Sequence, residues 1–106
     1  MKNTKLKFPW GELILVGESG EFSVSIDVVK PGGEPDSKKT YLKKGIAIYY
    51  VIKGKGLLAG KQISKGDLIK IKKGQNFHLK NNSKSVLKIL AVYLPPYDDD
   101  TVEERK

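Results

Sequence analysis

An all-β fold, a single antiparallel barrel or double-sheet jelly roll, is what this sequence predicts. Three observations carry the prediction. Apolar residues recur with a period of two, helical periodicity is nearly absent, and Gly, Pro and Asn break the alternation at short intervals. At 106 residues the chain suits one domain. That domain is expected over 1–106, with a barrel core of about 22–97 and a charged tail over 98–106. A domain of this size can bury a core without disulfides or metals.

The elements follow in order. Gly11–Val16 reads as a strand and ends in the turn GESGE. Phe22–Val29 sets Phe22, Val24, Ile26 and Val28 against Ser23, Ser25, Asp27 and Val29, so one face is apolar and the other mostly polar. Pro31-Gly32-Gly33-Glu34-Pro35 ends it, because proline cannot continue a ladder. Lys39–Lys43 is a short candidate strand. Ile46–Lys53, β-branched and aromatic throughout, is the strongest strand in the chain. Gly54-Lys55-Gly56 turns it into Leu57–Ala59, and Gly60-Lys61 is expected as a two-residue hairpin turn. Asp67–Ile71, Phe77–Lys80 and Val86–Leu94 complete eight or nine strands, and Pro95-Pro96 stops the sheet. The tail from Asp98 is expected to fray or drape over the barrel.

Charge is distributed unevenly. The net charge is +8, and residues 37–97 hold fourteen lysines against one acid, Asp67. Such a field can attract nucleic acid, an acidic surface or an anionic small molecule. Only Arg105 is arginine, however, and readers of phosphates and bases lean on the planar arginine fork. Nucleic acid is therefore not the expected partner. A lysine-rich surface keeps a barrel soluble and is common in thermophile proteins. Zero cysteines exclude disulfides, zinc–thiolate sites and thiol nucleophiles, and fit a reducing cytoplasm, the expected compartment. No apolar run approaches a membrane span, so no membrane association is expected.

The order Pro31-Gly32-Gly33, IYYVIKGKG, KGDLIKI, KKGQNFHLKN and VYLPPYDDD resembles the cupins over roughly Phe22 to Tyr97. Gly54 sits where the first cupin motif ends, and Gly66, Gly74 and Asn81 match the spacing of the second. The opening FPWGELILV is similar to the small cupin domains related to mannose-6-phosphate isomerases and mannose-1-phosphate guanylyltransferases. The resemblance implies a double-stranded β-helix. It also implies metal-ligand positions, which here are Thr40, Leu42, Ala47 and Phe77. None is a useful ligand for a divalent ion, which needs about three or four imidazole and carboxylate donors. The implied protein is a cupin whose metal site is lost, with no cofactor. Metal-free epimerases of that fold use a His–Asp pair with a tyrosine. His78 lies off the expected lumen position, so a pair with Asp27 is not expected, and His78 is read as a rim residue.

In that register the candidate lumen comprises Thr40, Leu42, Ala47, Tyr49, Phe77 and Tyr93. Ala47, Tyr49 and Val51 share one face of their strand, and Leu87, Ile89, Ala91 and Tyr93 share one face of the last. Two outcomes compete: Phe77 and Leu42 fill the interior, or an apolar pocket with a few polar tips remains. The expected function is small-molecule binding or support of an assembly by a metal-free cupin. The alternatives are a sugar or sugar-phosphate isomerase or epimerase and a basic module associated with nucleic acid. Whether the chain is an enzyme stays open at this point. An anionic ligand drawn by the lysines and a homodimer are the expected partners. The dimer is expected because Ile48, Tyr50 and Ile52 make the outer face of the strongest strand apolar too. The N-terminal segment with Trp10 is the alternative cover for that face.

Overall fold

The computed structural model describes residues 4–105. These residues form eleven strands and no helix. The strands are β1 (Thr4–Phe8), β2 (Gly11–Glu18), β3 (Ser23–Val29), β4 (Thr40–Leu42), β5 (Ile46–Lys53), β6 (Lys55–Leu58), β7 (Lys61–Ser64), β8 (Leu68–Lys72), β9 (Leu79–Lys80), β10 (Leu87–Leu94) and β11 (Val102–Glu104). One six-stranded sheet runs β1-β2-β3-β10-β5-β8. Facing it are a three-stranded sheet, β7-β6-β9, and a pair, β11-β4. Every strand pair is antiparallel. The all-β prediction holds, and the strands predicted at 46–53 and 86–94 match β5 and β10 within one residue.

Strand alternation sets the core. Ala47, Tyr49 and Val51 of β5 point inward beside Leu87, Ile89, Ala91 and Tyr93 of β10, and all seven are buried. The register sets large against small, with Tyr93 opposite Ala47 and Tyr49 opposite Ala91. That pairing lets two rings fit diagonally between neighbouring strands. Leu42, Leu58, Ile63, Ile71, Phe77 and Leu79 close the core from the other strands and loops. Each fully buried side chain of this size contributes about 1.5–3 kcal/mol.

Two local devices fix the turns. Ala59 and Gly60 both take positive φ, 51° and 80°, as a tight hairpin turn between β6 and β7 requires. The turn therefore falls one position before the expected Gly60-Lys61. Asn81 is fully buried. Its amide donates to the Val29 and Ser85 carbonyls at 2.9 and 2.7 Å, and its oxygen accepts from the Ser83 amide and hydroxyl at 3.0 and 2.7 Å. This one residue ties the end of β3 to the turn that launches β10.

The described residues near both ends pair into strands that their composition does not suggest. β11 adds to β4, with Val102 opposite Leu42, where the sequence led us to expect a fraying or draping tail. Lys44 pairs with Asp98 at 2.7 Å, and Arg105 lies 4.1 Å from the Tyr41 ring centre while donating to the Gly74 carbonyl at 2.7 Å. At the other end, β1 and β2 extend the six-stranded sheet beyond β3. The N-terminal segment thus lies at the sheet edge and does not cover the outer face of β5.

Candidate functional site

The phase of β3 decides the site. Val29 is completely buried at its end, and period-two alternation then turns Asp27, Ser25 and Ser23 inward. The polar face of this strand, not the apolar one, lines the interior. Asp27 is opposite Leu13 on one side and Ile89 on the other, and is 8% exposed. Ser25 is held likewise between Leu15 and Ala91. Burial among these neighbours raises the Asp27 carboxyl from 3.8 to about 7, and no hydrogen bond or positive charge opposes the shift.

A second carboxyl comes from the loop between β3 and β4. Asp36 is half-buried, and burial together with the Asp27 charge raises it to about 7 as well. The loop is pinned at several points. The Asn81 amide donates to the Gly33 carbonyl at 2.9 Å, and Asn76 Nδ2 donates to the Lys38 carbonyl at 2.7 Å. Glu34 is hydrogen-bonded to His78, which holds the Glu34 carboxyl below its usual range. His78 is thus a rim residue that anchors the Asp36 loop, consistent with its expected position outside the lumen.

Between these elements lies a cavity of about 660 Å³. Asp27, Asp36, Tyr49, Phe77, Tyr93 and Tyr97 line it, together with Phe8, Trp10, Leu13, Leu15 and Glu18 from β1, β2 and the turn between them. The interior is therefore not filled by Phe77 and Leu42. Tyr49 and Tyr93 join their phenol oxygens at 2.9 Å with rings at 86°, and Tyr93 meets Tyr97 edge to face at 4.9 Å. Burial raises the Tyr49 and Tyr93 phenols well above their usual range, so both are neutral donors at physiological pH. Phe8 and Trp10 stack at 5.2 Å near the mouth. Among the described residues no lysine or arginine lines the cavity, whereas three acids do.

Of the residues expected in the lumen, Tyr49, Phe77 and Tyr93 line this cavity. Thr40, Leu42 and Ala47 are buried but lie outside its wall, and the Thr40 hydroxyl is taken up by Ser37 at 3.1 Å. Sequence reasoning missed Asp27, Asp36, Ser23, Ser25, Trp10 and Tyr97. One signal was present: Ser23, Ser25 and Asp27 share a face with Val29, whose apolar side chain belongs inside.

Two solved structures share this architecture. A Klebsiella pneumoniae protein described as having a double-stranded β-helix domain is 18% identical, covers 96% of this chain and 84% of its own, and superposes with a TM-score of 0.74. An RmlC-like cupin from Shewanella frigidimarina is 14% identical over 92% and 88%, with a TM-score of 0.72.

The fold is that of the cupins.

Streptomyces Pac13 has this cupin fold as well, at 18% identity over 98% of this chain and 85% of its own, with a TM-score of 0.72. It is described as a nucleoside dehydratase, and a variant of it has been solved with uridine. No protein-family model matches the present sequence, and no curated protein matches it. Thr40, Leu42, Ala47 and Phe77, the metal positions expected from the motif spacing, offer no imidazole or carboxylate, and among the described residues no group of three or more His, Asp or Glu could hold an ion. The residues present do not fit a cupin metal.

Proposed function

We propose that this cupin binds a small organic molecule with a flat ring body in the pocket around Asp27, without a metal. The Asp27 carboxyl carries the reading. It lines a cavity between Leu13 and Ile89, and no protein donor shifts its titration. A buried carboxyl without a partner costs stability, so a site that keeps one has a use for it. Phe77, Tyr93, Tyr97 and Trp10 offer ring surfaces, and a cavity of about 660 Å³ is of the size that holds small ligands. This lining favours a neutral or cationic ligand over the anion expected from the lysine-rich sequence.

A second reading makes the pocket catalytic. Asp27 and Asp36 titrate near pH 7, where a carboxyl can both accept and return a proton. Proton transfer on a sugar or nucleoside is then the reaction class, and the likeness in fold to a nucleoside dehydratase supports it by analogy.

Backbone amide NMR with a panel of uridine, free sugars and simple aromatic compounds tests the binding reading. Shifts should concentrate at Ser23–Asp27, Tyr93 and Tyr97, and Asp27→Asn should remove them. Shifts centred instead on Lys55, Lys65 and Lys84, which line a separate shallow groove, would place the site elsewhere.

A further inference from the structure

We infer that the pocket selects a cationic organic ligand, a ring-bearing molecule whose ammonium or amidinium group lies against Asp27 and Asp36 and whose ring rests on Tyr93, Tyr97 or Trp10. This rests on the proposal that the pocket is a ligand site, and adds the charge of the ligand.

The first support is the contrast between pocket and protein. The chain carries +8 overall, yet among the described residues its pocket is lined by Glu18, Asp27 and Asp36 and by no basic residue. With 20 basic residues in 106, a wall of 18 residues would hold about three by chance. The second is Asp27 itself. It is 8% exposed, flanked by apolar side chains, and receives no donor from the described residues. A neutral hydroxyl would give that carboxyl a hydrogen bond, but a cation supplies both the bond and the missing charge, and charge-assisted bonds are roughly twice as strong. The third is the aromatic lining. Tyr97 is 48% exposed, Trp10 is half-buried and Tyr93 sits behind them, and ring faces attract cations held within about 6 Å. Among the described residues the other titratable groups lining the cavity are Glu18, Asp36, Tyr49, Tyr93 and Tyr97, which are neutral or acidic.

The lysine-rich surface does not reverse this selection. Charges on the surface are screened over about 8 Å at physiological ionic strength, whereas the carboxyls act at contact. The positive field slows capture of a cation rather than weakening its seat.

Matched probes give the test: 2-phenylethylammonium, its neutral analogue 2-phenylethanol, and the anion 3-phenylpropionate, titrated at pH 7 by calorimetry and amide NMR. The ammonium should bind at least ~10-fold more tightly than the alcohol, with shifts at Asp27, Tyr93 and Tyr97. It should also release protons, because a nearby cation lowers carboxyls that titrate near 7, and calorimetry in two buffers of different ionisation heat reads this directly. Asp27→Asn should remove the preference for the ammonium, and Asp36→Asn should reduce it. Equal binding of the alcohol, or tighter binding of the propionate, overturns the charge inference while leaving the pocket as a ligand site. If neither ammonium nor alcohol perturbs the pocket residues, the site reading fails and the charge inference with it.

Discussion

The phenol oxygens of Tyr49 and Tyr93 lie 2.9 Å apart, joining neighbouring strands inside the barrel. The two rings are not equivalent. Tyr49 is 1% exposed and Tyr93 8%, and both line the cavity. Tyr49→Phe frees the Tyr93 hydroxyl, which borders the open cavity, and should cost about 1 kcal/mol. Tyr93→Phe strands the deeper Tyr49 hydroxyl and should cost about 1–3 kcal/mol. Urea unfolding of the two variants checks the order, and equal costs would show that both hydroxyls reach water.

Phe77 is 1% exposed yet touches the cavity with part of its ring. Phe77→Ala should cost about 3 kcal/mol, at the lower end of the range for buried phenylalanine, because its site already borders empty space. It should also enlarge the pocket and weaken binding of ring-bearing probes. A cost below about 1 kcal/mol would mean that the ring is not part of the core.

Much of this architecture was legible because strands advertise themselves by alternation. The inward face of β10 follows from its alternation, whereas β5 is apolar on both faces and its inward face follows from the cupin register. The ends of the chain were less legible: β1 reads TKLKF, and β11 is three residues of a charged tail whose pairing with Leu42 depends on a distant loop. The pocket was half legible. Tyr49, Phe77 and Tyr93 follow from the register of known motif positions. Asp27 does not, because a face of Ser, Ser and Asp normally points to water, and only the buried Val29 at its end reverses the expectation. Asp36 lies in a loop whose course is fixed by Asn76, His78 and Asn81, contacts that no local pattern reveals.

The outer face of the six-stranded sheet bears on assembly. Ile14, Ile26, Leu90, Tyr50 and Leu68 fall opposite one another in cross-strand register and form an apolar row. Tyr50 is 41% exposed and Leu68 70%. A homodimer through this face is the expected state, since a second copy would cover the row. Sedimentation at tens of micromolar should report a dimer, and Leu90→Glu should shift it to monomer. A monomeric parent protein would contradict the expectation.

The central claim is that Asp27 is kept for a ligand and not for stability. Its carboxyl rises from 3.8 in the unfolded chain to about 7 in the fold. The folded state therefore holds more protons than the unfolded one between those values, and stability falls as pH rises from about 4 to 7. The full shift corresponds to up to about 4 kcal/mol at pH 8. Asn in place of Asp27 removes that cost while nearly preserving shape. The most direct measurement is the thermal midpoint of parent and Asp27→Asn from pH 4 to pH 8. The account predicts that the variant melts several degrees above the parent at pH 8, with the gap narrowing toward pH 4. A variant less stable than the parent at pH 8 would show that the ionised carboxyl holds the fold together, and would contradict the claim.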